Sequence, residues 1–564
     1  MSRSLTPRST LESLRKEAKR WLKLLREGEP QARERLLAAS PAAPAEPGLR
    51  DVQFALAREH GHAGWNALKQ ALADLAVARK SHAERVDRVL RGVAWGADRH
   101  AAARVLARWP EIGTDNLYAA VSTGKLAEVA RRLAVDPAAA TRPGGPLAWA
   151  PLLYLAYARL PGGETNAPEI ASTLLDAGAD PNAAWDDGWG NSFKVLTGAL
   201  GAGEQTLPPH PQARALAELL IERGADPYDS QALYNTSLAG DDTVWLDLLW
   251  SGSERHGRTP AWRVRNEPGK GIGGRLAVNA LDYLLGNAVG ADHRRRVEWL
   301  LAHGADAGGR HAYSGRPLSE EALINGFDAI ADLLARHGAT VTPLAGADAY
   351  RAACMRLDRA AAAALLKQHP SLLTDPEPML SAARQGRAEV VALLLELGVS
   401  VDVADATGQR ALQAAVPVGH VELVRLLLAH GAEVDRPTTQ YDGAMGFAAH
   451  FGQREIAALM APLSRDVHNM AQLGLKQRLA ELFAGDPGLA NARHFRSGLT
   501  PLFMLPPDED DAVDMAVFLL EHGADRAAAD RHGITPEASL RQKGFDAVAD
   551  FMRDEGGNWT RGRA

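Results

Sequence analysis

Leucine-rich stretches recur along the chain, each with apolar positions three or four residues apart and each closed by Gly-Ala or a close variant. Three copies read Leu174-Leu175-Asp176-Ala177-Gly178-Ala179-Asp180, Leu219-Leu220-Ile221-Glu222-Arg223-Gly224-Ala225-Asp226 and Leu300-Leu301-Ala302-His303-Gly304-Ala305-Asp306. Gly338, Gly398, Gly431 and Gly523 stand in the same setting. Val421, Val424, Leu427 and Leu428 share one helical face, and Gly431 falls where a left-handed residue ends a helix without a Cβ penalty. In Gly498-Leu499-Thr500-Pro501-Leu502 and Gly533-Ile534-Thr535-Pro536 the order of residues predicts helix starts, threonine capping a helix whose first residue is proline. Gly304 and Gly338 are 34 residues apart and Gly398 and Gly431 are 33 apart. Longer intervals of 60, 80 and 92 residues leave room for degenerate copies and insertions. A period of this length predicts stacked helix pairs, because one pair cannot bury its apolar face alone.

The pattern Gly-x-Thr-Pro-Leu, Ala-x-x-Gly, then Val-x-x-Leu-Leu-x-x-Gly-Ala-Asp is best kept from Gly408 through Gly419 to Ala432 and from Gly498 to Asp525, with Gln409-Arg410-Ala411 replacing Thr-Pro in the first. On these residues the chain resembles the ankyrin-repeat family, most closely the long ankyrin-repeat proteins of bacteria. The resemblance implies an all-α ankyrin-repeat solenoid of stacked helix-turn-helix units with short β-hairpin fingers. It also implies a non-catalytic interaction scaffold or adaptor without a cofactor, which binds a protein partner through its fingers and concave face. About fourteen degenerate repeats are expected over residues 81–553, with insertions near 181–211 and 251–275 and a disordered tail over 554–564.

Residues 1–80 lack the repeat. Leu11, Leu14, Ala18, Trp21, Leu22 and Leu25 form an apolar stripe behind a capping pair, Ser9 and Glu12. Further helices are expected from Leu49 to Gly61 and over Trp65–Leu75, with a Pro/Ala-rich link at Pro41–Pro47. Such a leader is expected to cap the first repeat with a polar outer face.

The most unusual stretch lies between the repeats ending at Gly178 and Gly304. It holds Trp185, Asp186, Asp187 and Trp189 in one finger, Gln205 and His210 in a Pro-rich loop, and Trp245 and Trp250 beyond it. Exposed aromatic side chains serve interfaces as anchors, with polar residues at the rim, so these eight residues form the candidate partner-binding surface. The alternative is that the rings pack over an irregular junction between neighbouring repeats, since tryptophan is mostly buried in folded chains.

Composition narrows the chemistry. Net charge is −6 from 63 basic and 69 acidic side chains, no field to draw in nucleic acid or an anionic membrane. The single cysteine, Cys354, rules out an intrachain disulfide framework and fits a reducing cytoplasm. A signal-peptide core and a membrane-spanning apolar run are both missing, so a soluble cytoplasmic monomer is expected. Gly269-Lys270-Gly271-Ile272-Gly273-Gly274 spells a dinucleotide-binding glycine pattern, but the segment before it is polar and reads as no strand, so a flexible insertion is expected there. Two other readings stay open. One is an enzyme regulator or catalytic subunit with its site in the 181–275 insertions; the other is a secreted bacterial effector.

Overall fold

The computed structural model describes residue 5 and residues 11–553, apart from 95–98, 162–165, 189–190, 202, 204–207, 239, 269–271, 273–274, 543–544, 546–547 and 550–551. The glycine-rich hexapeptide, except Ile272, and the expected tail therefore lie outside the described residues, as do Ser9, Trp189 and Gln205.

The periodic segments are helix pairs that follow one another along the chain, an all-α repeat architecture. It divides into two compact units, one of residues 74–344 and the other of residues 1–73 with 345–564, the division falling inside the helix Trp65–Ala78. The 74–344 unit holds seven pairs among its described residues, from His82–Val93 with Arg99–Arg108 to Leu318–Ile324 with Asp328–Arg336. In the other unit the pairs run from Gly346–Met355 with Arg359–Gln368 to Val467–Leu473 with Lys476–Gly485. A short turn at Pro501–Phe503 with the helix Glu509–Glu521, and the helix Pro536–Gln542, follow them.

Each pair forms for the reasons its pattern contains. Val424 and Leu427 are fully buried in the helix Val421–Ala429, each contributing about 2 kcal/mol of apolar burial. Gly431, at φ +83°, then reverses the chain. Thr535 caps as expected, its Oγ1 accepting the Ala538 N–H at 3.3 Å. Thr500 does not: its hydroxyl is buried without a hydrogen-bond partner, because in the short 3-10 turn Pro501–Phe503 the third N–H, that of Phe503, donates to the Thr500 carbonyl instead.

Neighbouring pairs are clasped by a side-chain amide. Asn182 Nδ2 donates to the Gly224 carbonyl at 2.9 Å while its Oδ1 accepts the Asp226 N–H at 2.7 Å. Asn491 does the same to Gly523 and Asp525, at 2.8 and 2.6 Å. Each clasp satisfies groups left over at a helix end, a net gain of about 1 kcal/mol per hydrogen bond.

The leader departs from expectation twice. It contains an additional helix, Pro30–Ala39, started by proline and held by burial of Ala32 and Leu36 one turn apart. It was hidden in the sequence by an apolar stripe only two residues wide. Expected to cap the first repeat, the leader instead shares a core with the last pairs: Leu14, Trp21, Leu36, Leu56 and Leu68 belong to the same apolar cluster as Ala512, Met515 and Leu519. Arg26 pairs with Glu521, Arg50 reaches Asp511 at 2.7 Å, and Lys69 reaches Asp508 at 3.5 Å. The terminal repeats thereby gain the apolar cover that a solenoid end requires.

Candidate partner-binding groove

The helix Pro151–Tyr157 is buried at every residue. Tyr154 and Tyr157, three positions apart on it, stand beneath two successive fingers. Tyr154 Oη accepts the Leu147 N–H and donates to the Gly144 carbonyl, both at 3.0 Å, and so closes the first finger. Burial pushes its hydroxyl up to about 12, keeping it a neutral donor. Gly145, at φ +63°, permits this closeness, because a Cβ there would sit 2.6 Å from Tyr154 Oη. Tyr157 Oη donates to the Lys194 carbonyl at 3.0 Å and holds the second finger.

That second finger is a hairpin in which Ala184–Asp186 pairs antiparallel with Ser192–Lys194, Trp185 facing Phe193. Alternation along the strand sends Trp185 inward and leaves Ala184 and Asp186 exposed. The inward rings form a ladder: Trp149 stacks on Trp185 at 5.2 Å between centroids, and Trp185 on Phe193 at 4.7 Å. Tyr157 and Tyr154 lie 5.4 and 5.6 Å from Trp149. Beside the ladder the two fingers leave a groove of about 510 Å³, lined by Ala140, Leu153, Trp149, Trp185, Asp180 and Asp186, among others.

Behind the fingers lies a residue that sequence reasoning missed. Arg159 is buried, and its guanidinium donates to four carbonyls: Pro208 at 2.8 Å, Ala156 at 2.8 Å, Ala158 at 2.9 Å and Gly198 at 2.6 Å. Burial lowers its pKa to about 10, still leaving it charged at neutral pH. It ties the helix end, the next helix and the Pro-rich loop into one block.

The eight residues singled out from sequence separate accordingly. Trp185 is in the ladder beside the groove, and Asp186 is exposed at its rim. Asp187 accepts the Asn191 side-chain amide at 2.8 Å and shapes the hairpin. His210 and Trp250 are corrected from surface anchors to packing residues. His210 is buried beside Arg159, and burial pushes its imidazole down to about 4, with the arginine charge adding to the shift. Trp245 packs partly buried against the core. Trp250 is buried among Trp262, Trp299 and His303, and donates through Nε1 to Glu254 at 2.9 Å. Trp189 and Gln205 lie outside the described residues. The groove also draws on Trp149, whose single ring in a Pro-Gly-rich stretch gave no repeat signal, and on Asp180, which sequence reading assigns only to the Gly-Ala-Asp motif.

One other cluster brings a serine, a histidine and a carboxylate together. His494 Nδ1 accepts both the Ser497 N–H at 3.1 Å and the Ser497 Oγ–H at 2.9 Å, while its Nε2 lies 2.8 Å from Asp442 Oδ2. The imidazole lone pair is thus committed to its own turn. His311 holds Ser314 through the backbone alike, its Nδ1 accepting the Ser314 N–H at 3.2 Å, while the Ser314 hydroxyl donates to Glu321 at 3.0 Å. A His-x-x-Ser-Gly sequence used twice to shape a finger is a folding device, and Arg496, 3.1 Å from Asp442, completes a tie between fingers.

Residues 349–438 match the family model for ankyrin repeats, in three copies. These copies fall on the pairs beginning at Gly346, Glu377 and Ala411, and this part of the chain is an array of ankyrin repeats. Ankyrin repeats are in general protein-protein interaction modules. No curated protein matches the chain. No helix among the described residues is long and apolar enough to cross a membrane.

Proposed function

We propose that the protein is a non-catalytic scaffold that holds a protein partner in the groove between the fingers at 141–149 and 183–193. The observation that carries this reading is the ring ladder. Five aromatic side chains, two of them anchored by hydrogen bonds to finger backbone, hold two fingers in place so that a groove stays open between them. Rigid, preformed concavities lose little entropy on binding. The helices behind supply the frame, and the polar cluster at His494 serves finger geometry. We further propose that the scaffold is a cytoplasmic monomer, a reading that rests on the single cysteine of the sequence, Cys354.

Cross-linking pull-down from the native cell tests the reading when wild type is run against Ala184→Leu, which fills the groove from an exposed strand position. Loss of the captured partner from the variant, with unchanged circular dichroism, is the expected outcome. Equal capture by both proteins would place the binding surface elsewhere.

A further inference from the structure

We propose that the groove selects its partner through one long cationic side chain, lysine or arginine; this rests on the groove being the binding surface. The lining is divided by chemistry. Its inner part is hydrocarbon and ring, with Ala140, Leu153 and Trp149 among the contributors. Its rim carries two carboxylates, Asp180 and Asp186, both exposed. Each is held in place by backbone: Asp180 Oδ1 accepts the Asn182 N–H at 2.8 Å, and Asp186 Oδ1 accepts the Gly188 N–H at 2.7 Å. Among the described residues no cation is paired with either carboxylate, and no basic side chain lines the groove.

A lysine or arginine fits both halves of this lining. Its methylene stem lies along apolar surface while its head stays at the polar edge, and the cation is attracted to an indole face and to the carboxylates together. A leucine would satisfy only the inner part. A glutamate would bring like charge against both aspartates, a repulsion that excludes partners as effectively as attraction selects them. Because both carboxylates are solvated, the selection must weaken with added salt.

The test uses the full chain and fluorescein-labelled nonapeptides of Gly, Ser and Ala whose central residue is Lys, Arg, Leu or Glu, read by fluorescence polarisation at low and high salt. Lys and Arg peptides are expected to bind at least about tenfold tighter than Leu and Glu peptides at low salt. Asp180→Asn with Asp186→Asn should remove that preference, and Ala184→Leu should remove binding altogether, with circular dichroism unchanged in both. If the Leu or Glu peptide binds as well as the basic ones and Ala184→Leu still blocks it, the groove is the site and the cationic selection is overturned. If no peptide binds wild type better than Ala184→Leu, the groove reading falls as well.

Discussion

The two units solve the same packing problem with different side chains. In the pairs from Gly346 to Ala429, where the ankyrin family match falls, small and aliphatic residues do the packing: Ala382, Ala383, Val390, Leu394, Ala411, Val424 and Leu427 are all fully buried. Between Pro143 and Trp262 the closing Gly-Ala-Asp motif is kept at Gly178 and Gly224, but the first helices and fingers depart from the pattern, and rings and buried polar groups join the aliphatic packing. Trp149, Tyr154, Tyr157 and Trp262 fill the interior, while Arg159 and Asp229 spend their polarity on backbone groups. Where consensus is kept, stacking consumes the sequence. Where it is lost, fingers are held by aromatic contacts, and a groove with exposed carboxylates opens at the surface.

Removing residues 1–61 is expected to have the largest effect, and to act on the unit that keeps the consensus. Hydrogen exchange should rise most over 501–553, where the leader's apolar residues and Arg50 now cover the last pairs. An increase confined to 82–135 would restore the expectation that the leader caps the first repeat. The ion pairs themselves should matter little, since exposed pairs contribute about 0–1 kcal/mol.

Arg159→Met should destabilise the 74–344 unit by about 4 kcal/mol, because three buried carbonyls and that of Pro208 lose a charged donor at once. Urea unfolding followed by tryptophan fluorescence, which reports mainly on the ring-rich region, is the measurement. A change below about 1 kcal/mol would mean that the carbonyls find water instead.

The pH response should also separate the regions. His210 is held neutral in the folded state by burial, its pKa pushed down to about 4 from the ordinary 6.5. The unfolded chain therefore takes up the proton first, and stability is complete above 6.5 and declines as pH falls towards 4, by roughly 3 kcal/mol in all. His210→Asn keeps an acceptor for the Gln212 N–H, which His210 Nδ1 accepts at 3.0 Å, and should flatten this decline. An unchanged slope in the variant would assign the decline to other groups.

Glycine substitutions give the finest comparison. An added Cβ at Gly198 runs into the Tyr157 ring, so Gly198→Ala should cost about 2 kcal/mol by overpacking and alter near-ultraviolet dichroism as the ladder shifts. Gly431 has nothing within 4 Å of a Cβ but sits at φ +83°, so Gly431→Ala should cost only about 1 kcal/mol through backbone strain, with the aromatic signal unchanged. Equal spectral changes in the two variants would show that the ladder is not locally held.

The repeat fold was legible because its signals are local. The leucine stripe, the closing glycine and the Thr-Pro start act within one helix pair, and the spacing of 33 or 34 residues follows from the pair itself. The site was legible only in part. Trp185 and Asp186 stand out in the sequence because an aromatic-rich finger departs from the repeat. Their rung and rim partners, Trp149 and Asp180, sit in other segments, and nothing in the sequence matches them. Trp245 and Trp250 looked the same as Trp185 in sequence, since a tryptophan on a helix carries no local mark of the face that its neighbours will cover.

What the sequence determined by itself was the all-α repeat architecture, because helix periodicity, capping and left-handed glycines are properties of short segments. The tertiary structure alone decided which aromatic side chains become core and which border a groove, where Arg159 finds its acceptors 39 and 49 residues away, and that Arg50 meets Asp511 across 461 residues of chain. The physical reason is that burial and the pairing of polar groups depend on surfaces that exist only once distant segments are packed together.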